Sequence, residues 1–192
     1  MRIILASKSP RRRDILNSYA KERGFSFEII TKPTDEVVGD IHPIRAVELL
    51  ALEKGAAVAE DYPDALVISS DTLVELDGVP LGKPTDKRDA ERMLNSLSGR
   101  GHNVHTGIAI HYKGRVFSGV ASTAVIFKEL TQGQISEYIA TGEPMDKAGA
   151  YGIQGGAGKF VLRYDGEFDT VVGFNMTLLR KLLSEAEPNF EW

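Results

Sequence analysis

The chain has 192 residues, 42% of them hydrophobic and 26% charged, which is enough to bury a sizeable core and too apolar for wholesale disorder. Its 27 Asp and Glu outnumber 23 Lys and Arg for a net charge of −4, which argues against a general nucleic-acid binder coated in basic residues. The absence of cysteine excludes disulfide frameworks, thiolate metal sites and cysteine nucleophiles, and no apolar run reaches the length of a membrane span or signal peptide, so one cytoplasmic domain over 1–192 is expected.

Arg2 to Ala6 reads as a short buried strand feeding a helix from Pro10 to Arg23, with Ser9 as N-cap and Gly24 as the stop. Residues 25–30 (FSFEII) alternate as a strand, and 31–43 form a polar loop carrying Asp35 and Glu36. A helix follows from Pro43 to Glu60, with Ala46, Leu49, Leu50 and Ala57 at near-helical spacing and Lys54 among them. Residues 64–84 read as a strand and hairpin turning at Asp77-Gly78, and Lys87 to Leu97 as a short helix ending near Ser98-Gly99. From Asn103 to Leu130 the pattern alternates through a Lys113-Gly114 turn, predicting two or three antiparallel strands. A helix over 131–141 is capped by Thr131, and 142–160 is a glycine-rich loop tract. A strand from Lys159 to Arg163, a turn at Asp165-Gly166 and a helix from Asn175 to Ala186 close the chain. There is no repeat, low-complexity segment or linker, and the alternation of helices and strands around a long hairpin predicts an α/β fold with a mixed sheet.

The first helix carries the wrong charge for its own dipole. Lys8, Arg11, Arg12 and Arg13 crowd its N-terminus, where exposed cations cost about 0.3 to 1 kcal/mol each. An anion bound there removes the conflict, because free N–H groups, dipole and guanidinium forks would all point at it, and a phosphate-rich ligand is the natural candidate. The plainer alternative is that the arginines are solvated or pair with Asp14 and Glu22.

Asp71 is the most conspicuous carboxylate. It follows Leu66, Val67 and Ile68 and precedes Leu73 and Val74, so it sits in a largely buried strand and must meet a cation, a metal or several donors. Such an acid suits a general base or metal ligand, although a salt-bridged structural aspartate would satisfy the same demand. Lys54 and Lys83, taken singly, read as surface lysines, and Asp35 and Glu36 could offer oxygen ligands to Mg²⁺. The tract GEPMDKAGAYGIQGG permits close backbone approach to a ligand and can aim N–H groups at an anion, but it is not a Walker loop: Ile153 stands where that pattern needs glycine, and Phe160 where it needs Ser or Thr. His102 and His105 fall three apart in a strand, on opposite faces, which speaks against a metal pair.

Taken in order, LASKSPRRRDIL, the Asp35-Glu36 pair, Lys54, SSDTLVELDGVPLGKP, LSGRGHNVHTG and GEPMDKAGAYGIQG resemble the Maf family of nucleoside triphosphate pyrophosphatases, from Ile3 to about Val172. The resemblance implies a single Maf-like domain with a mixed α/β fold, two lobes around a central cleft as in inosine triphosphatases, and hydrolysis between the α and β phosphates. The tract EPMDKAGAYGIQG is similar to that of the branch acting on dTTP and UTP. Carried over by motif, Asp71 would activate water. Arg11, Thr72 and Gln154 would set base preference, while Ser7, Ser9, Arg12, Lys54 and Lys83 would hold phosphates. Asp71 and Glu36 would contact the divalent cation, Mg²⁺ or Mn²⁺. The resemblance further implies a housecleaning role in the cytoplasm, no nucleic-acid or membrane partner, and a tendency to form a homodimer. The stretches GGAGKF and GEFDTVVGFNM depart from the family pattern, which bears on base preference more than on catalysis. Two other readings compete: the same chemistry on a modified nucleotide or 7-methyl-GTP, and a nucleotide-binding regulator of cell division that does not turn over.

Overall fold

The computed structural model describes residues 1–34 and 41–192. They form two compact units, the first comprising Met1–Asp71, Thr106–Ala121 and Gly173–Trp192, the second Thr72–His105 and Ser122–Val172.

The first unit is built on β1 (Ile3–Leu5), whose successive side chains feed two cores. Ile3 and Leu5 join Leu16, Tyr19, Leu66, Ile68, Ile108, Phe174 and Leu183, whereas Ile4 and Ala6 join Val58, Ala65 and Val67. Burial on both faces is what a parallel strand pair requires, and β1 pairs in parallel with β3 (Leu66–Leu76) through Ile3↔Leu66 and Leu5↔Ile68. Helix α1 (Pro10–Arg23) has the predicted limits: Ser9 caps it and Gly24 ends it at φ 71°. The strand foreseen over 25–30 shrinks to β2 (Glu28–Ile29), an exposed two-residue pairing with Ile4 and Leu5, because Phe25 turns aside to pack edge-on against Tyr19 and Trp192. Helix α2 (Pro43–Ala59) begins at a His42 cap.

In the second unit β3 continues to Leu76 and turns through Asp77 (φ 54°) and Gly78 (φ 81°) into β4 (Val79–Leu81), with both turn residues in the left-handed region that a type I′ turn demands. Helix α3 (Lys87–Leu97) is capped by Asp86 and α4 (Gln132–Ala140) by a Thr131–Gln134 capping box. The long alternating stretch is one hairpin of two strands, β5 (Gly101–Tyr112) and β6 (Arg115–Phe127), turning at Lys113-Gly114. Strand β7 (Val161–Asp165) pairs antiparallel with β6. The sequence reading has no counterpart for α5 (Phe168–Val172), whose five residues are too few to show a period. Helix α6 (Met176–Ala186), capped by Asn175, returns to the first unit.

The strands hydrogen-bond in the order β2-β1-β3-β5-β6-β7, with β4 also on β3, so the α/β fold with a mixed sheet stands. Among the described residues no helix is long and apolar enough to cross a membrane.

Candidate active site

Three consecutive residues of β3 are fixed in three different ways. Ser69 Oγ donates to Ala51 O of α2 at 2.7 Å, Ser70 Oγ donates to Gly173 O at 3.1 Å, and Asp71 Oδ1 accepts from Lys54 Nζ at 2.5 Å. Asp71 is only 8% exposed, and of the cation, metal or donors that its burial called for it has a cation, Lys54. Lys54 reaches it because the next residue is glycine: a Cβ on Gly55 would lie 2.6 Å from both Ser69 Oγ and His111 Cδ2. A larger residue there would have to displace the Ser69 hydroxyl and the His111 ring.

The cations at the start of α1 divide. Ser9 Oγ accepts from Arg12 N at 3.5 Å, and Ser7 Oγ accepts from Ser9 N at 3.2 Å. The Arg12 guanidinium turns away from solvent: Nε donates to Gly173 O at 2.8 Å, and Nη1 to Ser70 O at 2.7 Å and Ser7 Oγ at 3.4 Å. Arg12 therefore holds by its carbonyl the residue immediately before Asp71. Arg13 pairs with Asp14 at 3.2 Å in the open, whereas Glu22 lies 3.9 Å from Arg23 at the far end of the helix. The salt-bridged alternative thus accounts for Arg13. Lys8, exposed, and Arg11, half-buried, have neither hydrogen bond nor ion pair among the described residues.

The remaining candidates lie in the second unit. Thr72 is half-buried in β3, Lys83 is exposed just past β4, and Gln154 is exposed on a turn. The glycine-rich tract is not an open loop. It winds through three short 3-10 turns, Glu143–Asp146, Ala148–Ala150 and Gly156–Phe160, burying Pro144, Ala150, Ala157 and Phe160. Gly149 N donates to Gly82 O at 3.0 Å, tying the tract to the residue before Lys83. Glu36 lies outside the described residues.

A family model described as "Maf-like protein" matches residues 2–186. The chain belongs to the Maf family. It is 47% identical over 186 residues to a protein of Shewanella denitrificans named dTTP/UTP pyrophosphatase, covering 94% of each chain. It is 45% identical over 186 residues to a protein of the same name from Pelotomaculum thermopropionicum, covering 95% of each. Among solved structures, a nucleoside-triphosphatase / dITP/XTP pyrophosphatase from Mycobacterium abscessus aligns with a TM-score of 0.49 at 15% identity, covering 70% of this chain and 78% of that one.

In this Maf chain the two histidines of the LSGRGHNVHTG motif have separate side-chain partners. His102 Nε2 lies 2.8 Å from the Tyr151 hydroxyl, its Nδ1 is buried with no partner among the described residues, and burial pushes its pKa down to about 4. His105 instead bridges Ser122 Oγ at 2.7 Å and Glu75 Oε2 at 2.8 Å, and its hydrogen bond holds the Glu75 carboxyl below the usual range. Among the described residues no three His, Asp or Glu side chains gather as a metal site. One buried carboxylate, Asp71, is what the described residues offer, and that fits Mg²⁺, which binds through one or two carboxylates, phosphate oxygens and water rather than an all-protein cage.

Sequence reasoning missed Ser70 and Gly173 as the anchors of Arg12, and Tyr138 and Glu143 as the partners of the glycine tract. Main-chain carbonyls occur at every residue and leave no pattern to find. Glu143, by contrast, stands beside glycines whose density permits close approach and can aim N–H groups at an anion.

Proposed function

We propose that this Maf protein hydrolyses dTTP and UTP to the monophosphate and pyrophosphate. The Lys54–Asp71 couple is the observation that carries the reading: a buried carboxylate, oriented by an ammonium at 2.5 Å, beside a helix start with unneutralised cations. The names borne by relatives at 45% and 47% identity support the substrate class.

Asp71 accepts the proton of the water that breaks the bond between the α and β phosphates. Lys54 holds the carboxylate in one rotamer and lends positive charge to the phosphate side. Lys8, Arg11 and the positive end of the α1 dipole attract the triphosphate, and the charge that builds on departing pyrophosphate strengthens that attraction in the transition state. Arg12 acts chiefly by fixing the main chain at Ser70, and Ser7 and Ser9 by shaping the helix entry. Lys83 takes a phosphate oxygen, while Arg11, Thr72 and Gln154 read the base. A divalent ion, Mg²⁺ or Mn²⁺, held by Asp71 and Glu36 with phosphate oxygens, would neutralise phosphate charge and acidify water.

The test is pyrophosphate release from a panel of dTTP, UTP, CTP, 7-methyl-GTP and purine triphosphates, with and without Mg²⁺ or Mn²⁺. Metal-dependent turnover concentrated on dTTP and UTP is the expected outcome. Turnover of another nucleotide alone would overturn the substrate, and nucleotide binding without pyrophosphate release would identify a regulator instead.

A further inference from the structure

The turn bearing Gln154 is pinned at both ends by one pair of side chains outside it. Gly152 N donates to the Tyr138 hydroxyl at 3.1 Å, and Gly156 N donates to Glu143 Oε2 at 3.0 Å. The Tyr138 hydroxyl in turn donates to Glu143 Oε1 at 3.0 Å, so phenol and carboxylate form one bridge across the mouth of the turn. Gly155 N closes it internally onto Gly152 O at 3.1 Å. Burial pushes the Tyr138 hydroxyl's pKa up, which keeps it protonated as the donor the bridge requires.

The glycines are explained by this carboxylate. A Cβ on Gly155 would stand 1.9 Å from Glu143 Oε1, and one on Gly152 would stand 3.2 Å from the same oxygen. The anion that the tract wraps around is therefore the protein's own Glu143. Between the two pinned amides Gln154 is exposed and makes no hydrogen bond among the described residues, so its carboxamide is presented rather than used.

We propose that Tyr138 and Glu143 are positioning residues for nucleotide selection: they hold the Gly152–Gly156 turn in one conformation so that the Gln154 carboxamide meets the base at a fixed place. The proposal rests on the reading of Gln154 as a base-contacting residue. A rigid turn matters because a donor–acceptor pair discriminates between bases only when its geometry is set before the base arrives; a mobile carboxamide rotates to suit either edge.

The experiment measures kcat and KM for dTTP, dCTP and dGTP with Gln154→Ala, Tyr138→Phe, Glu143→Gln and the Tyr138→Phe/Gln154→Ala double variant, with Tm recorded for each. Gln154→Ala should lower the preference for dTTP over dCTP about tenfold, the scale of one lost hydrogen bond to substrate. Tyr138→Phe and Glu143→Gln should lower it several-fold, mostly through KM for dTTP. The double variant should be no less selective than Gln154→Ala alone, since both act through one carboxamide. Unchanged selectivity in Tyr138→Phe and Glu143→Gln beside a collapse in Gln154→Ala would overturn the clamp alone. Unchanged selectivity in Gln154→Ala would remove the reading beneath it. Additive losses in the double variant would show Tyr138 acting independently of Gln154, which also overturns the proposal. Tyr138→Phe keeps the buried ring, so the test survives if Glu143→Gln fails to fold.

Discussion

The two units solve opposite problems with mirrored means. In the first, a guanidinium is held by main-chain carbonyls, those of Ser70 and Gly173, and fixes the residue before Asp71. In the second, a carboxylate is held by a main-chain N–H, that of Gly156, and fixes the turn around Gln154. Both charges sit in motifs that invite assignment to substrate, and both are spent on the backbone next to the group that would act. A charged residue beside a reactive one can be the thing that makes it precise, and only its partners reveal which.

The largest expected effect tests the first unit at its centre. Asp71→Asn keeps the side-chain shape and a contact to Lys54 but removes the base, so kcat should fall about 10²- to 10⁴-fold, roughly 3 to 5 kcal/mol, with nucleotide binding retained. Measured pyrophosphate release near the wild-type rate would end the role assigned to Asp71.

Acid separates the second unit from the first. His102 lies under the tract against Tyr151 and Phe127, and its folded pKa of about 4 is below the ordinary 6.5. A base with a depressed pKa takes up a proton more readily in the unfolded chain, so its contribution to stability is complete above about pH 6.5 and is lost as the pH falls toward 4. Over that window the loss amounts to roughly 3 kcal/mol. Urea melts should show this slope, His102→Gln should flatten it, and amide protection factors in 148–160, corrected for slower intrinsic exchange in acid, should fall before those of β1 and β3.

Arg12→Lys tests the guanidinium against its phosphate-holding alternative. Lysine keeps the charge but cannot fork to two carbonyls, so the variant should lose about 2 kcal/mol, roughly thirtyfold in kcat/KM, with kcat and Tm both lowered. A rise in KM alone, with Tm unchanged, would return Arg12 to the substrate.

What the sequence discloses follows the range of the interactions concerned. The Ser9 cap, the Gly24 stop, the Asp77-Gly78 turn and the Thr131 cap each lie within a few residues, and each stands where local chemistry puts it. The burial of Asp71 is legible from its apolar neighbours, and so is its need for a cation, a metal or several donors. That the cation is Lys54, 17 residues earlier, depends on the close approach at Gly55, which a sequence shows only as one more glycine in a helix. The two carbonyl acceptors of Arg12 lie 58 and 161 residues away, and nothing in the residue types marks them. In the tract the glycines permit N–H groups to face an anion, which the sequence reading assigns to a ligand; that Glu143 supplies a carboxylate there is not visible in them.

The smallest expected effect belongs to Arg13, and it completes the division of three adjacent arginines. Arg12 donates to two main-chain carbonyls, Arg11 has no partner among the described residues, and Arg13 faces Asp14 with both side chains about half or more exposed, at 48% and 66%. An exposed pair between neighbours in sequence gains little Coulomb energy and is screened by salt, so Arg13→Ala should change stability by less than about 0.5 kcal/mol. Its charge should matter as little to turnover, because Asp14 neutralises it locally. Arg11→Ala, measured in parallel, should raise the KM for nucleotide several-fold, and that rise should shrink with added salt. A comparable rise in Arg13→Ala would mean that Arg13 leaves Asp14 when the triphosphate arrives. The helix start would then act as a shared positive field, and the partners each arginine has in the free protein would no longer predict its part in binding.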